Sequence, residues 1–197
     1  MQEIFFATSN ENKAEELKNL TSELNIKILT MKDFPKFVQP EETGATFQEN
    51  ALIKAEAASK FSGLPALADD SGLTVDALDG APGIYSARYS GEDATDQTNN
   101  EKLLKALESV DWNHRQGQFH TFLALFLPNG ETFFTEGIAD GLILTEYRGD
   151  QGFGYDPLFY VPFLDRTMAE ISLGEKNKIS HRAKAFKKML KYLKTMS

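Results

Sequence analysis

The chain has 197 residues and 22.0 kDa, with 29 acidic and 21 basic side chains for a formal charge of −8, and no cysteine. At 41% hydrophobic and 25% charged residues it is globular in composition, which excludes a disordered, collagen-like or coiled-coil chain; without cysteine there is no disulfide framework, thiol nucleophile, iron–sulfur cluster or cysteine zinc site. The longest apolar run, Phe122–Leu127, is far short of the roughly 18 residues of a membrane span, and Met1–Ala7 lacks the basic start and long apolar core of a secretory signal, so a soluble cytoplasmic protein of one domain, 1–197, is expected.

In chain order, Glu3–Thr8 predicts a short apolar strand. A polar turn follows, and a helix runs from about Lys13 to Leu24, with Ala14, Leu17, Leu20 and Leu24 on one face and Asn10 or Asn12 as N-cap. Ile26–Leu29 reads as a second strand. Thr46-Phe-Gln-Glu49 has the form of a capping box and opens a helix carrying Ala51, Ala55 and Ala58, which ends near Ser62-Gly63. Leu64–Ala68 predicts a buried strand ending in a polar turn, Asp69-Asp70-Ser71-Gly72, with Leu73–Val75 as a separate short strand. Asp93 or Thr95 caps a helix reaching Leu107. Phe119–Leu127 and Glu131–Ile138 flank Pro128-Asn129-Gly130 as a hairpin. Gly141–Leu144 is a further strand or a bent continuation, Leu158–Val161 is the last strand, and a final helix runs from about Ser180 to Lys194. This order predicts an α/β fold with a mixed sheet and not an all-parallel barrel. The hairpin region is free to form a second lobe.

Four constellations carry chemistry. Thr8-Ser-Asn-Glu-Asn-Lys13 joins a strand to a helix start, where backbone N–H groups attract phosphate and Lys13 adds charge. Asp69-Asp70 after a buried strand can hold Mg²⁺ and orient a water, with Glu41 and Glu42 as further oxygen donors. Gln151-Gly-Phe-Gly-Tyr-Asp-Pro157 can expose a ring to a base. Lys176 and Ser180-His-Arg182 gather donors near a helix start. Taken singly, each has a plain structural reading: a capped helix, a β-turn, a glycine loop round a packed ring, a basic helix start. Between Ile171 and Ser197 there are eight bases and one acid. Those lysines lie opposite an apolar stripe with no stacking aromatics among them, as on a solvated helix face.

The motifs occur together and in order. Thr8-x-Asn10-x-x-Lys13, Glu41-Glu-Thr-Gly-x-Thr-Phe-x-Glu-Asn-Ala51 with Lys54, Ala68-Asp-Asp-Ser-Gly-Leu73, Gly80-Ala-Pro-Gly-Ile-Tyr-Ser-Ala-Arg-Tyr89, Phe153-Gly-Tyr-Asp-Pro157 and Ser180-His-Arg182 resemble the inosine triphosphate pyrophosphatase family over nearly the whole chain. Ser9 stands where much of that family has Gly, so the backbone there must keep to angles open to any residue.

The resemblance implies a long central mixed β-sheet flanked by helices, two lobes around a central cleft, and a homodimer. It implies Mg²⁺-dependent hydrolysis of ITP, dITP and XTP to the monophosphate and pyrophosphate, clearing aberrant nucleotides from the pool, with Mn²⁺ able to substitute. Asp70 would be the general base and a metal ligand, and Glu41 a second ligand. Thr8, Ser9, Asn10, Lys13, Lys54, Ser71 and Lys176 would hold phosphate. Phe153, Gly154, Tyr155, Asp156, His181 and Arg182 would frame the base. A hypoxanthine edge shows an O6 acceptor and an N1–H donor; adenine reverses both and would leave buried partners unpaired at about 1–3 kcal/mol each. The competing readings are a Maf-like pyrophosphatase acting on other modified nucleotides and a non-catalytic nucleotide-binding module. Partners other than the purine nucleotide and a second copy are not expected, neither nucleic acid nor membrane.

Overall fold

The computed structural model describes residues 2–22 and 24–195. Met1, residues 196–197 and Glu23, which falls within the predicted first helix, lie outside that description. Strands β1 (Gln2–Phe6), β2 (Ile26–Leu29), β3 (Ala66–Val75), β4 (Gln116–Phe126), β5 (Thr132–Ile143), β6 (Phe159–Val161) and β7 (Arg166–Thr167) form a seven-stranded sheet in the order β2-β1-β3-β4-β5-β6-β7. β1 pairs parallel with β2 and β3, whereas β6 pairs antiparallel with β5 and β7, so the sheet is mixed. The α-helices are α1 (Glu11–Thr21), α2 (Phe47–Ser62), α3 (Asp96–Ala106), α4 (Leu173–Ile179) and α5 (His181–Thr195). This is the expected α/β class. Among the described residues no helix is long and apolar enough to cross a membrane.

Local chemistry sets the helix starts. Asn10, of the two candidate caps, accepts from the Lys13 N–H, Thr46 accepts from Glu49 N, and Thr95 forms a reciprocal capping box with Thr98. Gly63, in the left-handed region at φ +72, closes α2.

The chain divides into two compact units, Met1–Asp70 with Thr121–Gly137 and Arg182–Ser197, and Ser71–His120 with Ile138–His181. In the first unit, strand alternation builds two cores. Ile4, Phe6, Leu67, Leu123 and Leu125 pack with Leu17 of α1 and with Ala185, Phe186 and Met189 of α5. Phe5, Ala7, Ala66, Ala68 and Ala124 pack with Ala51, Ala55 and Ala58 of α2. Small alanines on both partners let α2 lie close to the sheet. The second unit has its own core, including Leu73, Leu103, Leu107, Ile143, Tyr155 and Phe159. There the fully buried Arg115 donates to the carbonyls of Leu107, Val110, Ile143 and Leu144 at 2.7–3.3 Å, tying the end of α3 to the end of β5.

Several sequence expectations change. Asp69–Gly72 is not a turn: β3 runs unbroken from Ala66 to Val75, so Leu73–Val75 is no separate strand. Turn-forming residues are held extended here because Asp69 and Asp70 are buried and paired on opposite sides of the strand. Gly141–Ile143 continues β5, where Leu142 and Ile143 pair with Tyr160 and Phe159. α1 ends at Thr21, short of Leu24. Two elements were not expected. β7 is only two residues long, and α4 is opened by a capping box between Ser172 and Glu175. Ser180 closes α4, and α5 begins at His181.

Candidate active site

Consecutive strand residues face opposite ways, and β3 uses this to separate two neighbouring carboxylates. Asp69 follows Leu67 onto the α1–α5 side. Its Oδ2 lies 2.8 Å from Lys13 Nζ and 3.9 Å from Arg182 Nε. Arg182 Nη1 is also 2.6 Å from Glu16 Oε2. Burial pushes the Asp69 carboxyl up, but the Lys13 ammonium, then Arg182 and Lys54, outweigh it and hold the group well below the usual carboxylate range. Burial lowers Lys13 in turn, against the pull of Asp69.

Asp70 follows Ala66 and Ala68 onto the α2 side. Lys54 Nζ, from the middle of α2, stands 3.6 Å from Asp70 Oδ1 and 2.6 Å from Glu42 Oε1. Burial raises Asp70, Lys54 opposes it, and the nearby Glu42 charge adds to the rise. Lys54 is raised: burial lowers it, but Asp70, Asp69 and Glu42 together prevail. A carboxyl raised by its surroundings beside a fixed cation is the arrangement expected of a proton acceptor.

The strand-to-helix turn forms as the sequence predicts. Asn10 N donates to Thr8 Oγ1 at 3.2 Å, and Lys13 N to Asn10 Oδ1 at 3.2 Å. A cavity of about 310 Å³ is lined by Thr8, Ser9, Asn10, Lys18, Thr30 and Lys32 among others.

The second unit holds the aromatic loop. Asp156 Oδ2 accepts from Phe153 N at 2.9 Å and from Lys176 Nζ at 2.6 Å, both side chains of that ion pair being buried. Lys176 Nζ also stands 4.8 Å from the Phe153 ring centre, a cation–π contact. Tyr155 donates from its hydroxyl to Ser86 O at 2.8 Å, and burial pushes that phenol up. His181 stacks on Phe119 with ring centres 4.8 Å apart. Gly152 has φ +79, and a Cβ on it would overlap the Asp156 carboxylate.

Of the residues expected to hold phosphate or a base, several are joined by contacts, and two of them, Lys176 and Arg182, pair with the other group; His181 contacts Phe119 instead. Lys176, read as a phosphate ligand, stands with Phe153 and Asp156. Arg182, read with the base, stands with Glu16 and Asp69. Ser71 is half-buried on β3, and Glu41 is exposed. Glu42, the other glutamate of the same loop, is the one bound to Lys54. Asp96 and Asn100 of α3, which the sequence reading passed over, hold both backbone groups of Gly154 at 2.7 and 2.8 Å. The signal was the spacing of four on a predicted helix, which places the two side chains on one face.

Among the described residues, no group of three or more histidines and carboxylates gathers into a metal cage. The donors present still suit Mg²⁺, which takes one or two carboxylates and completes its shell with substrate phosphate and water. Asp70 and Glu42, sharing Lys54, are such a pair.

A family model described as Ham1 family matches residues 4–192. Two proteins named dITP/XTP pyrophosphatase are close in sequence. That of Halalkalibacterium halodurans is 49% identical, covering 98% of this chain and all of its own. That of Geobacter sulfurreducens is 51% identical, covering 94% of this chain and 93% of its own. Among solved structures, a HAM1 protein from Coxiella burnetii superposes with TM-score 0.90 at 46% identity, covering 99% of this chain and all of that one.

Proposed function

The chain belongs to the Ham1 family, and from that premise we propose that it hydrolyses deaminated purine nucleoside triphosphates, ITP, dITP and XTP, to the monophosphate and pyrophosphate. The observation that carries the reading is the buried, raised Asp70 beside Lys54 and Glu42.

In this reading Thr8, Ser9, Asn10, Lys13 and Lys54 bind the triphosphate. The lysines matter because the chain as a whole is acidic. Asp70 accepts a proton from the water that attacks the α-phosphorus. Lys13 and Lys54 stabilise the charge that develops on the leaving pyrophosphate. The metal is proposed to be Mg²⁺, with Mn²⁺ able to substitute, held by Asp70 with Glu42 or Glu41. When bound it would neutralise phosphate charge and polarise the water. Phe153 stacks on the base, with Tyr155, Asp156 and His181 framing it, and Asp156 with Lys176 also keeps the loop in shape. A cytoplasmic homodimer that binds neither nucleic acid nor membrane completes the proposal.

The test is pyrophosphate release from ITP, XTP, dITP, ATP and GTP, with Mg²⁺ and with chelator. Metal-dependent release from the deaminated purines alone is the expected outcome. Equal rates on all five would discard the base site, and release from none would discard the enzyme. A smaller effect is expected at Gly152. Gly152→Ala should raise KM for ITP about tenfold and kcat should change little, because the methyl displaces Asp156 and tilts the ring without touching Asp70. Steady-state kinetics separate the two constants; an unchanged KM would detach this loop from substrate binding.

A further inference from the structure

Gly154 sits at φ +62 between Phe153 and Tyr155. Helix α3 grips it from both sides of its own backbone. Asp96 Oδ2 accepts from Gly154 N at 2.7 Å, and Asn100 Nδ2 donates to Gly154 O at 2.8 Å. A spacing of four puts this acceptor and this donor one turn apart on the same helix face. Asn100 is 2% exposed, and its amide orientation follows from its partner, because a flipped amide would set two oxygens against each other.

The grip belongs to a closed circuit. The preceding residue of α3, Asn99, accepts from Ser90 N at 2.7 Å and donates to Ala87 O at 3.1 Å. Ser86, beside Ala87, accepts the Tyr155 hydroxyl at 2.8 Å, which returns the chain of contacts to the loop. Asp156 also holds the Phe153 backbone N–H, and Lys176, paired with Asp156, stands over the Phe153 ring. The ring is therefore positioned through the backbone on either side of it and by a cation against its face. α3 is pinned at its far end by Arg115, which takes Leu107 O at 2.7 Å.

We propose that Asp96 and Asn100 are positioning residues for base recognition: by fixing both hydrogen-bonding groups of Gly154 they set the tilt of the Phe153 ring, and so the KM and the purine selectivity, without touching substrate. The inference rests on the reading that Phe153 carries the base. A loop held by two designed contacts keeps its geometry before substrate arrives, so binding does not have to order it.

The experiment measures kcat and KM for ITP and ATP in Asp96→Ala, Asp96→Asn, Asn100→Ala, Asn100→Asp and Phe153→Ala, with thermal melting of each. Asp96→Ala, Asn100→Ala and Asn100→Asp should raise KM for ITP about tenfold, with kcat within about twofold, and lower the ITP-to-ATP preference by a similar factor. Asp96→Asn keeps an acceptor oxygen and should stay within about twofold of the parent. Asn100→Asp keeps the side-chain volume, so it reads the lost donor even where an alanine unsettles the fold. A raised KM in Phe153→Ala with parental constants in the Asp96→Ala and Asn100 variants would overturn this inference alone. Equal losses in Asp96→Asn and Asp96→Ala would assign the effect to charge at the helix start, and would also overturn it. An unchanged KM in Phe153→Ala would overturn the base-site reading, and the inference with it.

Discussion

Asp70→Asn is expected to lower ITP turnover by about 10³-fold, the scale of a lost general base, while the melting temperature stays level or rises. The substitution keeps the shape and removes the proton-accepting oxygen. The stability side follows from the raised carboxyl. Burial and the Glu42 charge oppose ionisation, so at neutral pH the charged form is a cost carried by the fold, and a neutral isostere relieves it. Lys54 is not stranded, because Glu42 holds it at 2.6 Å. Pyrophosphate release and melting in the presence of chelator check the two halves separately. Near-parental turnover would take Asp70 out of the reaction, and a fall of many degrees in melting would make its charge a structural necessity.

The neighbouring residue should behave in the opposite way. Asp69→Ala is expected to cost about 3 kcal/mol of stability, because it takes the buried carboxylate away from the partly buried Lys13 ammonium. Its pH dependence has a definite sign. The folded carboxyl lies below its unfolded value of 3.8, so its contribution is fully present above that value and is lost as pH falls through the folded one. The stability gap between parent and variant should therefore stay constant from about pH 8 to pH 5 and close only below the ordinary carboxylate range. Urea melts across that span, with metal chelated, measure it. A gap that closes already by pH 5 would mean that Lys13 does not hold Asp69 as described.

The outer parts of the fold were legible because their signals are local. Thr46 with Glu49, Thr95, and Pro128-Asn129-Gly130 each act through their own neighbours, and the helices and hairpin stand where they point. The centre was not, because tertiary pairing overrides propensity there. Asp, Ser and Gly form turns when they face water, but Asp69 and Asp70 face Lys13 and Lys54, which arrive from elements 56 and 16 positions earlier. The capping box at Ser172 and Glu175 is a local signal too, but it opens a helix of only seven residues, too short for an apolar periodicity to mark. Within the site, motif residues could be named one by one, but their groupings could not. Arg182 and Lys176 separate by contact, and Glu42 rather than Glu41 meets Lys54, because a loop glutamate's direction depends on where α2 lies. The backbone clamp of Asp96 and Asn100 recognises a peptide group, which carries no side-chain signature at the position gripped.

Because the two carboxylates differ only by the strand side they occupy, their roles rest on parity. With Phe5 and Phe6 of β1 fixed against Ala66 and Leu67, each later residue of β3 is assigned to a side by counting from that register. Deleting Ala68 would bring both carboxylates to the wrong side of the strand while leaving composition and strand length almost unchanged. Deleting Leu67 together with Ala68 would restore the sides. Length changes in this strand are thus tolerable only in even steps, a constraint on chain arithmetic that no single side-chain replacement would reveal.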